Sequence, residues 1–253
     1  MNKLKELLEA KAAFYNRPAF VETDPIQVPH RFTLKEDIEI SGFLTATIAW
    51  GQRPTILNNA QLMMNLMDHA PYDFVMHHQL SDLRRFAGFV HRTFNADDLA
   101  FFVQALKGIY QFRGGLEEAM AATPEELDMK KALGRFRAMF FEKEHLSRTE
   151  KHLSNPFKKS ACKRLNMFLR WMVRSDQQGV DFGIWQKTSP AQLSCPLDVH
   201  SGNVARNLGL LKRSQNDWRA VEELDANLRK MDPEDPVKYD FALFGMGVFE
   251  KIT

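Results

Sequence analysis

Apolar residues recur at three- and four-residue spacings along most of the chain, and sustained two-residue alternation is nearly absent. This pattern predicts helices over 4–15, 36–49, 54–69, 129–141, 160–174, 199–208, 217–230 and 237–244. Shorter pieces are predicted at 72–79, 81–85 and 116–121. Asn95, with Asp97 and Asp98 behind it, predicts an N-cap for a helix running to 112, stopped by Gly114 and Gly115. Thr123, Pro124 and Glu126 predict another helix start, with Thr as cap, Pro in first position and Glu in third. Segment 21–32 carries Pro25 and Pro29 and reads as an extended loop. A long connection with Gly179, Gly183 and Pro190 separates the 160–174 helix from the next. No hairpin dipeptide sits between β-branched runs, so the expected class is all-α, with ten or more helices.

Composition narrows the picture. The chain has 253 residues, 44% of them hydrophobic, enough for one large domain or two small ones. No run of about 18 apolar residues is present, so no membrane span is expected. The first residues lack the apolar stretch of a signal peptide. Cys162 and Cys195 are too few for a disulfide framework, and the expected setting is a reducing cytoplasm. The eight His are scattered, no Cys/His set has zinc spacing, and no phosphate-binding glycine loop is found. No metal or cofactor is therefore expected.

The net charge of +2 says little, but its distribution says more. Residues 151–175 hold seven Lys and Arg and no Asp or Glu, whereas 217–250 hold nine acidic and four basic residues. An anion is expected to meet the basic segment, unless it is an ordinary solvated helix face.

Two residues carry candidate chemistry. Ser160 is expected to cap the 160–174 helix, which puts Lys163 in its first turn. Lys163, Met167, Arg170 and Arg174 then share one face, and Leu165, Phe168, Leu169 and Met172 share a face that would bury. Lys163 reads either as a solvated lysine or as an amine driven toward neutrality by the helix dipole and cationic neighbours. The neutral amine is the form that attacks a sugar C1′ and becomes a Schiff base. Asp198 reads as an N-cap, or as a fixed carboxylate that stabilises developing positive charge; one residue can do both. His200 would bond phosphate or support the loop.

The string PLDVHSGNVARNLGL over 196–210 resembles the aspartate segment of the helix-hairpin-helix DNA glycosylase superfamily, the group that contains endonuclease III. FLTATIAWGQ over 43–52 resembles its early buried helix ending in glutamine, and YDFALFGMG over 239–247 its closing helix. The resemblance covers roughly 36–248, with the archaeal 8-oxoguanine glycosylase class nearest. The strings SACKRLNMFLRWM and DPVKYDFALFG further resemble a bacterial family of uncharacterised proteins within that superfamily.

The resemblance implies two helical subdomains flanking a cleft, one from 36–175 and one from 1–35 with 176–253. It implies a monomer acting on double-stranded DNA that contains a lesion, an oxidised purine such as 8-oxoguanine. Asp198 would be the essential aspartate, Lys163 the Schiff-base lysine and Gln52 the residue that enters the duplex. Lys158, Lys159, Arg164, Arg170 and Arg174 would meet phosphates, with Pro196, His200 and Trp185 near the base. Trp50, Trp171 and Phe249 are further aromatics that could stack on a base or fill the core.

The chain departs from the superfamily in two places. LSNPFKK over 153–159 replaces a glycine-bearing hairpin, so Lys158 and Lys159 stay open as alternatives to Lys163. The cysteines of an iron–sulfur cluster are missing. The competing readings are a DNA-binding protein without chemistry and a protein that processes RNA or nucleotides.

Overall fold

A computed structural model describes residues 2–252. The helices in chain order are α1 (Asn2–Tyr15), α2 (Pro18–Val21), α3 (Lys35–Thr47), α4 (Arg53–Leu66) and α5 (Pro71–His77). A two-stranded hairpin, β1 (Val90–His91) and β2 (Phe94–Asn95), precedes α6 (Ala96–Phe112) and α7 (Leu116–Met120). The chain continues through α8 (Lys130–Phe140), α9 (Lys163–Val173), α10 (Val199–Asn207), α11 (Trp218–Arg229) and α12 (Tyr239–Val248). Short 3-10 turns fill several connections, including two in the 21–32 segment. The protein is all-α apart from that hairpin, among the described residues. No described helix is long and apolar enough to cross a membrane.

The chain forms two compact units. One takes the residues up to Glu22, Ala122–Gly134 and the chain from Asn155 onward; the other takes Thr23–Ala121 and Arg135–Ser154. This division differs from the expected segments, because α9 belongs with the terminal residues rather than with the central ones. Its ion pairs to Asp181, Asp235 and Asp240 hold it there.

In the unit holding both termini, α12 packs against α1 and α10. Leu8, Val204, Val221, Leu224, Leu228, Leu243 and Met246 form its core. Gly245 lets the Tyr15 ring lie on the α12 backbone, since a Cβ there would fall 2.2 Å from the ring. In the other unit, α3 is buried from Ile38 to Thr47. Phe43 packs on Phe102, Phe136 and Phe140 with ring centroids 5.6–6.1 Å apart.

Three local expectations change. Thr123 and Glu126 do form a capped turn, but the helix that follows, α8, begins only at Lys130. The Gln192 amide donates to the carbonyls of Thr123 and Glu126, the groups that a growing helix would need. The hairpin was not expected; Arg148 donates to the Thr93 carbonyl and the Asn95 side chain and fixes its turn. The cap of α9 is Cys162, in left-handed conformation with φ 49°, and Ser160 instead accepts the Cys162 N–H. The Asn95 cap does form, as a capping box with Asp98.

Candidate functional site

Asp198 is the N-cap of α10. Its Oδ1 accepts the Ser201 backbone N–H at 2.9 Å and the Ser201 hydroxyl at 3.2 Å. The Ser201 hydroxyl also accepts from the Asp198 N–H, which completes a capping box. The Asp198 carbonyl accepts from the Asn216 amide and from the Gly202 N–H. Gly202 leaves room for this contact, because a Cβ there would lie 2.9 Å from both Asn216 and Arg206. Backbone and one carboxylate oxygen are thus fixed.

The other oxygen, Oδ2, faces Lys163 Nζ at 3.0 Å. Lys163 is the first residue of α9, directly after the left-handed turn at Cys162. The two groups are 35 positions apart in sequence, and the fold brings them into an ion pair with part of each exposed, 31% for Lys163 and 18% for Asp198. Burial pushes the Asp198 carboxyl up, but the Lys163 charge, the Ser201 N–H and His200 outweigh it and hold it below the usual carboxylate range. Asp198 is therefore ionised at neutral pH. Lys158 and Lys159 sit exposed on the turn at 156–159, and neither forms an ion pair. Of the three candidate lysines, Lys163 is the one placed at the aspartate.

The other predicted site residues divide. His200 is exposed on the first turn of α10, its Cβ 3.0 Å from where a Cβ of Gly247 would stand. Phe249 is 49% exposed and stacks on Tyr15 with centroids 5.6 Å apart. Gln52, in the other unit, stands exposed at the N-cap position of α4 without using its side chain as a cap. Beside it Gly51 has φ +102°, and a Cβ there would stand 3.1 Å from Arg92 Nη1.

Four expected ligands of DNA lie inside the protein. Arg170 and Arg174 are each 3% exposed. Arg170 pairs with Asp181 and Asp240, and Arg174 pairs with Asp176, Asp181 and Asp235. The acidic partners come from the 176–195 connection, from the turn before α12 (Asp235) and from its second residue (Asp240), which spacing along α9 does not reveal. They also cancel the cationic neighbourhood expected around Lys163. Trp185 is buried edge-on against Phe168, centroids 5.4 Å apart, and Pro196 is buried too. Arg164 is half-buried, and desolvation pushes its guanidinium down to about 10. Trp171 is fully buried, and Trp50 stacks on His91.

Sequence reasoning missed Ser201, Asn216, Asp181 and Asp240. Ser201, three residues after an Asp cap, was the legible one, since a hydroxyl there can close a capping box. The others arrive over longer stretches: Asp181 lies 7 residues from Arg174, Asn216 18 from Asp198 and Asp240 70 from Arg170.

An all-α protein with a lysine and an aspartate paired at two helix starts is the class that the fold and site define. The chain belongs to the family described as "Protein of unknown function (DUF2400)", whose model matches residues 24–249. No curated protein and no solved structure matches the chain.

Proposed function

We propose that this protein is a DNA base-excision glycosylase of helix-hairpin-helix type that removes a damaged base, an oxidised purine such as 8-oxoguanine, and cleaves the strand through a lysine Schiff base. The observation that carries this reading is the 3.0 Å contact between Lys163 Nζ and Asp198 Oδ2 at a partly exposed position. A stable ion pair alone would need no such exposure and no capping box to fix one partner.

The lesion leaves the stack first, at a cost of about a few kcal/mol that is least for a damaged or mismatched base. Gln52, exposed and uncommitted on its own unit, is the residue that would enter the duplex. Lys163 gives up its proton and its nitrogen lone pair bonds to C1′. The glycosidic bond breaks, its electron pair leaves with the base, and the base takes up a proton, which balances the one released. Asp198, ionised and held by Ser201, stabilises the positive charge that grows on the sugar. Ring opening at O4′ gives the imine, and loss of a 2′ proton then expels the 3′ phosphate. Lys158 and Lys159 neutralise backbone phosphates as point charges, so binding weakens as salt rises. The half-exposed Phe249 offers a ring face for stacking. The proposed setting is a monomer in the cytoplasm.

Borohydride reduction on duplexes carrying 8-oxoguanine or an abasic site tests the reading. Wild-type protein is expected to become covalently attached to DNA, and Lys163→Gln is expected to lose this. If no duplex is trapped and none loses its base, the enzyme reading fails and a DNA-binding protein without chemistry remains. If Lys163→Gln still traps while Lys158→Gln or Lys159→Gln does not, the nucleophile is misassigned.

A further inference from the structure

Arg17, Phe14, Tyr15 and Phe249 form a ladder of stacked groups that the steps above use only at its last rung. The Arg17 guanidinium lies over the Phe14 ring, 4.6 Å from its centroid. Phe14 meets Tyr15 edge-on with centroids 5.0 Å apart, and Tyr15 stacks on Phe249 at 5.6 Å with the planes 19° apart. Tyr15 is 8% exposed and Phe249 49%, so Tyr15 covers one face of the Phe249 ring and leaves the rest open. Tyr15 itself is fixed from two sides. Gly245 leaves the notch that takes its ring, and its hydroxyl donates to Glu250 Oε1 at 2.5 Å. Lys11 Nζ donates to both oxygens of that carboxylate, at 2.8 and 2.9 Å. The Phe249 N–H donates to the Gly245 carbonyl at 2.9 Å, which fixes the backbone under the ring. The ladder is joined to the Lys163–Asp198 pair through α12 and α10. Phe249 stands two residues after Gly247, where an added Cβ would lie 3.0 Å from the His200 carbonyl oxygen, and His200 stands two residues after Asp198.

We infer that Tyr15 is a positioning residue for Phe249, and that the two rings together form the platform on which the base stacks once it has left the duplex. This rests on the glycosylase reading and names the part of the substrate that this side of the site receives: a flat nucleobase, held by its π-face. A single half-exposed ring would turn about its side-chain bonds, and ordering it would oppose binding. Backed by Tyr15, the Phe249 ring already stands in one orientation before the base arrives, so little freedom is lost. Every base has a π-face, so the platform grips without reading hydrogen-bonding groups. A purine covers more of the ring than a pyrimidine, which favours the larger bases. Abasic DNA brings nothing to the platform. The ladder therefore acts on release of a base and not on the lysine chemistry that follows it.

Single-turnover rates on two duplexes test this: base release from DNA with 8-oxoguanine, and borohydride trapping on the same sequence with an abasic site. Tyr15→Leu, which removes the supporting ring, is expected to slow base release about 3- to 10-fold more than it slows trapping. Tyr15→Phe keeps the ring in the stack and is expected to restore most of the difference. Phe249→Leu removes the platform and is expected to widen the gap to about 5- to 100-fold. Rates that fall by one factor on both duplexes, in Tyr15→Leu and in Phe249→Leu, mean that the rings only support the fold and overturn the proposal. So does a Tyr15→Phe variant no better than Tyr15→Leu, because the hydroxyl rather than the ring would then be at work. Should Tyr15→Leu not fold, Phe249→Leu, at a half-exposed position, decides by the same comparison. A wild type active on neither duplex refutes the glycosylase reading and takes the platform with it, whereas an active wild type with unselective variants refutes the platform alone.

Discussion

Asp198 divides its work between two oxygens, and that division makes its roles separable. Oδ1 caps α10 through Ser201, and Oδ2 meets Lys163. Asparagine is as good a cap as aspartate but carries no charge. Asp198→Asn is therefore expected to change stability by less than ~1 kcal/mol in urea unfolding, while slowing base release on the order of 100-fold or more. Asp198→Ala loses the cap as well and is expected to cost a further ~1 kcal/mol. Equal losses of stability in both variants would mean that the carboxylate's charge, not its cap, supports the fold. At this scale the aspartate was legible, because a cap is a local device written in neighbouring residues. The fate of Arg170 and Arg174 was not. Their helical spacing is the same whether the partner is a phosphate or a carboxylate, and two of the carboxylates, Asp235 and Asp240, arrive from 61 and 70 residues away.

Helix α12 shows how an element fixes a site without contributing a reacting atom. Gly245 and Gly247 leave two notches on it, one taken by Tyr15 and the other by the start of α10 at His200. Gly245→Ala is expected to destabilise the protein by ~1–3 kcal/mol, since the added methyl forces Tyr15 out of its place. Denaturant unfolding of that variant, followed by tryptophan fluorescence, measures the loss; an unchanged midpoint would show that Tyr15 moves freely. Gly247→Ala tightens the contact at His200 instead, at 3.0 Å. The position of α12 was visible as an apolar run ending in glycine. The notches themselves were not, because a glycine in a helix reads the same whether a ring or only solvent lies against it. The same limit explains α9. Its pattern predicts one buried face, yet every residue from Leu165 to Val173 is buried, and ion pairs satisfy the polar side.

Across the whole molecule, buried carboxylates set how stability responds to pH. Asp225 is pushed up to about 7 by burial, with Arg229 3.8 Å away and no hydrogen-bond partner on Oδ2. Asp240 is pushed up to about 6. A carboxyl raised in the folded state binds its proton more tightly there than in the unfolded chain. Stability from these two groups therefore rises as pH falls from about 7.5 toward about 5, and it levels off below their ordinary unfolded range. Asp217, held down to about 2 by Arg213, and Asp198 act the other way, and their contribution is lost below about pH 4. The melting temperature is expected to peak between pH 4.5 and 6, roughly 2–6 °C above its value at pH 8. Asp225→Asn is expected to flatten the rise between pH 8 and 6. A melting temperature that climbs steadily from pH 5 to 8 would contradict this assignment.

The sequence by itself determined the helical class, most helix positions, the caps at Asn95 and Asp198, and the pairing candidates Lys163 and Asp198. Each of these rests on periodicity or on residues within one turn of each other, where spacing alone fixes geometry. Tertiary structure decided which lysine meets Asp198, which arginines are spent on buried carboxylates, and which helix face stays open to solvent. Those outcomes depend on chain segments tens of residues apart converging in one place. Burial then changes what each charge costs, and no local pattern records that convergence.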